Sequence, residues 1–281
     1  MFRLLSLPYL HSFEKNSIEI VLKRSLRVLD TEVINGIKRY TVSKQTLSGG
    51  FEDKAGNPDL YYTLFGFFIA EALGLNDLYP SVRNYTETFI HNKKPEGVYL
   101  HCTAILASKL DCNTKTRNFL KTLIHEDLEK QDEKRSGYDS FLHLLSCYYL
   151  KDYVSLYRIN KRLTARLDYI SLPCTVASAL LVLRKSFRKP VDELVRTVLS
   201  FYDEGGFKAT FSAPAPDLLS TAVALYALRF ADSDLRMIKP ECLGFVDSLY
   251  DNGGFAGNII DNEADIEYTF YGLIALGSLS E

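Results

Sequence analysis

Gly253-Gly254-Phe255, followed by Asp265-Ile266-Glu267-Tyr268-Thr269 and an apolar run to Leu279, is the stretch whose reading decides the fold. The same arrangement occurs twice more, as Gly49-Gly50-Phe51 with Asp59 and Thr63, and as Gly205-Gly206-Phe207 with Asp217 and Thr221. The Asp follows the Phe by eight or ten residues, and the Thr always follows the Asp by four. Three matches to one constant and one nearly constant spacing mark an internal repeat. Within a unit, the Gly pair permits the positive φ that ends one helix and turns the chain. The Asp is suited to cap the next helix, since its carboxylate accepts a backbone N–H and complements the helix dipole.

The segments after the Asp, Leu60 to Ala70, Leu218 to Phe230 and Ile266 to Leu279, are apolar on nearly every face. A helix of that kind is buried all round. The segments before the Gly pairs are one-sided: Leu194, Val195, Val198 and Leu199 recur at helical spacing among charged residues, and Cys242, Phe245, Val246 and Leu249 repeat the stripe. Weaker units at Val98 to Leu110, Tyr138 to Leu150 and Leu172 to Leu183 carry Thr103, Ser140 and Thr175 at the anchor position. Between them lies the stripe of Phe119, Leu120, Leu123, Ile124 and Leu128. The pattern predicts an all-α protein of six helix pairs, each with one amphipathic outer and one apolar inner helix. Both terminal units are as apolar as the middle ones, which favours a closed double ring over an open solenoid with polar caps. The chain is read as a single domain over residues 1–281.

Composition narrows the function. A net charge of -2, from 33 Lys+Arg against 35 Asp+Glu, offers no basic face for nucleic-acid phosphates. The longest apolar stretch, Leu60 to Leu75, is interrupted by Glu71 and is too short for a membrane span. Five cysteines without a C-x-x-C pair argue for a reducing compartment, and the N-terminus lacks the form of a signal peptide, so a cytoplasmic location is expected. The 18 Tyr and 17 Phe are concentrated partly on the inner helices, where one side of a ring faces its centre. Tyr61, Tyr62, Tyr99, Tyr138, Tyr226 and Tyr268 are the candidate ligand-binding residues on that count.

Gly-Gly-Phe, a variable linker, Asp-x-x-x-Thr and an apolar helix together resemble the repeat of protein prenyltransferase β subunits and squalene–hopene or oxidosqualene cyclases. The resemblance implies an α/α toroid of six inner and six outer helices around an aromatic cavity that takes isoprenoid chains. It covers most of the chain, through units one, five and six above all. Both catalytic signatures of the group are altered. The zinc set of the prenyltransferases would fall on Asp217, Leu219 and Tyr268, and Leu cannot ligate zinc while a neutral Tyr is a poor ligand. The Asp-rich motif of proton-initiated cyclases keeps only its first Asp at Asp217. The last unit instead puts Glu267 at the proton-donor position, with Asp265 as the neighbouring carboxylate that helps keep it protonated. The absence of Trp separates the chain from the large triterpene cyclases.

The functional expectation is an isoprenoid-handling protein, either a noncanonical terpene cyclase or prenyltransferase-like enzyme using Glu267, Asp217 and Asp265, or a non-catalytic toroid binding an apolar ligand or a partner protein. A β-subunit-like protein with a helical partner subunit is a third reading. No cofactor is expected. The alternative metal set the residues offer is His101, Cys102, Asp139 and Cys174, at similar heights on consecutive inner helices, with His143 and Cys147 four residues apart nearby.

Overall fold

The computed structural model describes residues 13–92, 94–130, 137–162 and 172–280. Six apolar helices follow the repeat: α3 (Leu60–Leu73), α5 (Gly97–Lys109), α7 (Gly137–Tyr149), α9 (Cys174–Ser186), α11 (Leu218–Phe230) and α13 (Ile266–Leu279). Each packs on the next, and α13 packs on both α11 and α3. The alternating helices are α2 (Thr31–Ser43), α4 (Tyr79–Asn92), α6 (Thr114–Glu129), α8 (Tyr153–Arg162), α10 (Asp192–Leu199) and α12 (Lys239–Ser248), preceded by α1 (Ile18–Ser25). In α10 the buried side is Leu194 and Val198, with Asp192 and Glu193 exposed, the one-sided helix its stripe predicts. In α6 the buried line runs through Leu120, Leu123, Ile124 and Leu128, which leaves Phe119 at the stripe's edge and 44% exposed.

The repeat has a mechanical explanation. Phe51 pairs with Asp59 and Phe255 with Asp265 in two short antiparallel ladders, and Phe207 bridges Asp217 in the same way. The residues between Phe and Asp are therefore a hairpin loop, whose length is free to vary while the pairing is kept. The three Asp residues cap their helices: Asp59 accepts from the N–H groups of Tyr61 and Tyr62, Asp217 from Ser220 and Asp265 from Tyr268. The Thr four residues on accepts the N–H of the buried Phe, at 2.9 Å for Thr63, 2.8 Å for Thr221 and 3.2 Å for Thr269. In the first and last units the Phe ring then lies over a glycine one helical turn beyond that Thr. A Cβ on Gly66 or Gly272 would run into the ring of Phe51 or Phe255. Of the middle units, α5 and α9 begin after Glu96 and Pro173, neither of which supplies a side-chain cap.

The first Gly of each pair has φ of +93°, +87° or +96°, and an added Cβ would strike a backbone carbonyl of an amphipathic helix. Glycine there serves both the turn and the close approach. The first and last units are tied together by more than helix packing. The Tyr40 hydroxyl donates to the Ala264 carbonyl, Lys54 pairs with Asp261 at 2.7 Å, and Phe65 packs against Phe270 and Tyr271. Among the described residues no helix is long and apolar enough to cross a membrane, and all five cysteines are buried and unpaired.

Candidate functional site

The six apolar helices together enclose a cavity of about 470 Å³, within the roughly 300–1,000 Å³ typical of small-molecule pockets. Its wall is carbon-rich: Phe65, Phe68, Phe141, Phe270, Ile105 and Val182 are representative. The lining residues that carry polar groups are Tyr61, His101, Cys102, Thr175, Ser178, Tyr226 and Tyr271, and among the described residues no Asp or Glu lines it. Ser178 lines the cavity, while its hydroxyl oxygen is buried beside the Cys174 thiol, where it works to lower that thiol's pKa against the larger effect of burial.

Helix α1 closes the end of the cavity at the C-termini of these helices. Ile18 contributes to the wall, and the Tyr226 hydroxyl donates to the Asn16 carbonyl at 2.8 Å. Glu19 and Glu71 both pair with Lys109, at 2.6 and 2.7 Å, which fastens α1 to α5 and α3. Burial works to raise the Glu19 pKa, but the hydrogen bond and charge of Lys109 outweigh it and hold the carboxyl below its ordinary range. The opposite end carries the N-termini of the apolar helices, where Tyr61, Tyr62, Val98 and Thr175 are partly exposed.

The three candidate acids lie at that second end. Glu267 accepts a hydrogen bond from the Tyr61 hydroxyl at 2.7 Å, and Tyr61 lines the cavity, so the carboxylate touches the chamber through a phenol. Burial raises the Glu267 pKa, with Asp265 adding repulsion, against the lowering effects of Tyr61, Lys54 and Tyr62. Asp265 is itself raised by burial, and its second carboxylate oxygen lies 3.8 Å from Lys54. Asp217 is raised by burial as well, but stands as the cap of α11 apart from this group. Lys54 sits over the Tyr268 ring, 5.1 Å from its centroid. This lysine gave no signal in the sequence, because it belongs to the variable hairpin loop of the first unit and acts on the last.

Of the tyrosines expected in the chamber, Tyr61 and Tyr226 line it. Tyr99 lies outside the lining, 38% exposed, donating to Asp59 at 2.8 Å, and Tyr62 and Tyr268 belong with the acids at the rim. The side chain of Tyr138 lies outside the described residues. The His101, Cys102, Asp139 and Cys174 set is not drawn together as a group. Cys102 lines the cavity with its thiol pushed up to about 12 by burial, and buried Cys174 points toward the Ser220 carbonyl. His101 instead converges with His143 and Asp127. Asp127 was overlooked in the sequence; its signal was its place three and four residues after Ile124 and Leu123, on the buried edge of α6.

Aspartate-capped apolar helices, a Gly-Gly-Phe hairpin at three helix starts and an apolar chamber between the helices describe an α/α toroid. The chain matches the family model of the prenyltransferase alpha-alpha toroid domain over residues 17–88 and 149–280, and it belongs to that family. The unmatched 89–148 interval holds α5 and nearly all of α7, in a stretch of sequence without a Gly-Gly-Phe. No curated protein and no solved structure matches the chain significantly. A zinc ion of the prenyltransferase kind does not fit these residues. Beside Asp217 the aliphatic Leu219 lines the cavity, and burial raises the Tyr268 phenol, opposing the ionised form that a metal would need.

Proposed function

We propose that the protein is a single toroid of six inner and six outer helices whose chamber holds an isoprenoid or a similarly elongated apolar molecule. The observation that carries this reading is the wall: a chamber of about 470 Å³ lined by Phe, Leu, Ile and Val, with a few hydroxyls and, among the described residues, no carboxylate. Such a surface gains free energy from apolar area at about 25 cal/mol per Å² and offers little to a charged ligand. Burial at one end by α1 and partial exposure of the first helical turns at the other support entry of a chain with its polar head at the rim. Lys54 and Tyr61 are the rim groups suited to meet that head. The five unpaired buried thiols support residence in a reducing compartment.

The test is binding of prenyl alcohols and diphosphates of increasing length, read by calorimetry on the full chain. Ala179, on the α9 wall, is the position at which to fill the chamber. Ala179→Phe is expected to weaken binding by about tenfold or more, equivalent to about 1.4 kcal/mol, while the fold is retained. Absence of binding across the series, or undiminished binding by Ala179→Phe, refutes the chamber as the site.

A second reading, favoured by the Tyr61–Glu267 contact, adds acid chemistry. A protonated Glu267 would pass its proton through the Tyr61 hydroxyl to an alkene carbon, leaving a carbocation facing the aromatic rings, and would recover a proton when the product alkene forms. Cyclised products from polyenes, made by the wild type and lost in Glu267→Gln and Tyr61→Phe, would support it. Unchanged polyenes leave the binding reading alone.

A further inference from the structure

We propose that His101, Asp127 and His143 form a binding site for a zinc-class divalent metal in the wall of the chamber. One ligand atom from each lies within 4.8 Å of the others, and the three come from consecutive helices α5, α6 and α7. Both imidazoles are buried, at 4% and 1% exposure. Their rings meet edge to face, with centroids 4.5 Å apart and planes at 73°.

The hydrogen bonding of the rings specifies how they are presented. His143 Nδ1 lies 2.8 Å from the Asp139 carbonyl, which can only accept, so the proton of a neutral ring is on Nδ1. Its Nε2 then carries the lone pair and faces Asp127 Oδ2 at 3.1 Å. His101 Nδ1 is held by the Ser146 hydroxyl at 2.9 Å. Anchoring one ring nitrogen to a carbonyl or hydroxyl is how proteins orient imidazoles that ligate metal through the other. Two imidazoles and one carboxylate are a usual zinc donor set, and a tetrahedral ion with bonds of about 2.0–2.1 Å holds its ligand atoms about 3.3 Å apart. The His143–Asp127 spacing is already near that value.

The His143–Asp127 contact by itself fits an imidazolium–carboxylate pair, and the convergence of the His101 ring on the same point is what a metal ion would use in addition. Two cationic rings there would repel, whereas a divalent cation takes both rings in their neutral form together with the carboxylate. The position is remote in the repeat from Asp217, Leu219 and Tyr268, so it is not the prenyltransferase zinc site. His101 also lines the chamber, which would bring the ion to its wall. The proposal does not depend on which ligand the chamber takes.

The experiment uses the full chain, purified without a histidine tag, stripped with chelator, and titrated with Zn²⁺ and Co²⁺. The expected result is one ion per chain, a Co²⁺ d–d spectrum of nitrogen and oxygen ligation, and a rise in Tm on adding Zn²⁺. Asp127→Asn, at a partly exposed side chain, and His143→Gln abolish these responses, while Cys102→Ser and Asp217→Asn leave them intact. Ser146→Ala, which releases the His101 ring, weakens affinity by about tenfold. Circular dichroism of each variant separates loss of metal from loss of fold. No saturable binding by the wild type, or binding that survives Asp127→Asn but is lost in Cys102→Ser or Asp217→Asn, overturns the site.

Discussion

Thr221→Val tests whether the Thr hydroxyl couples the Gly-Gly-Phe hairpin to its helix. Thr221 is fully buried, and its hydroxyl accepts the N–H of Phe207 at 2.8 Å. Valine has nearly the same shape, so the substitution leaves no cavity. It does leave a buried N–H without its acceptor, and stranding such a group costs about 1–3 kcal/mol. Unfolding entropy of about 2.1 cal/mol/K per residue, taken over a chain of this length, is about 0.6 kcal/mol/K, so Tm should fall by roughly 2–5 °C. Thr221→Ser keeps the hydroxyl and loses one methyl, at a cost of about 1 kcal/mol, toward the lower end of that range. Thr197→Val, on the exposed side of α10, is the control, and should stay within about 0.5 kcal/mol of the wild type. The assay is calorimetric or spectroscopic melting with urea titration of the same variants. If Thr221→Val melts with the wild type, or is more stable than Thr221→Ser, the Thr hydroxyl is not what couples the Gly-Gly-Phe hairpin to the helix.

Three further outcomes follow from other parts of the molecule. Lys109→Met leaves Glu19 and Glu71 facing each other without their cation; partial exposure reduces the roughly 3–5 kcal/mol of a fully buried broken pair to about 2–3 kcal/mol, measured by urea unfolding. The depressed Glu19 pKa means that this contribution is present at neutral pH and is lost as pH falls through its folded value, so wild type and variant should converge in acid. Glu267 has the opposite sign: its raised pKa makes the folded state hold the proton longer, so ionisation destabilises the fold as pH rises from the unfolded to the folded value. Glu267→Gln should therefore raise Tm at neutral pH and match the wild type in acid, and the reverse pattern would contradict a desolvated carboxyl. Gly277→Ala drives a methyl into the Val21 carbonyl of α1 and should expose residues 18–25 to proteolysis and hydrogen exchange before the rest of the chain unfolds.

Much of the fold was legible because the repeat is written in residues with single structural uses. The Gly pair, the capping Asp and the anchoring Thr are local devices, and each acts within one hairpin and one helical turn. Where a unit lacks them, as at α5 and α9, the sequence was correspondingly weak. The site was less legible. Glu267 could be singled out, but its contact with the chamber depends on Tyr61, 206 residues away. Lys54 acts on Asp261 and Asp265 across the junction of the first and last units, and a variable loop residue carries no periodic mark. His101 converges with His143 and Asp127 rather than with Cys102, Asp139 and Cys174, because equal heights on neighbouring helices do not say which side chains turn toward each other.

The sequence by itself determined the helix pairs, their caps and the apolar character of the inner layer, since these follow from local conformational preference and from periodicity. The tertiary structure decided which tyrosines face the chamber, that no carboxylate among the described residues lines it, that α1 seals one end, and that two histidines meet an aspartate from a different helix. Those outcomes depend on rotation of each helix about its axis and on contacts between distant segments, which packing sets and spacing along the chain does not encode.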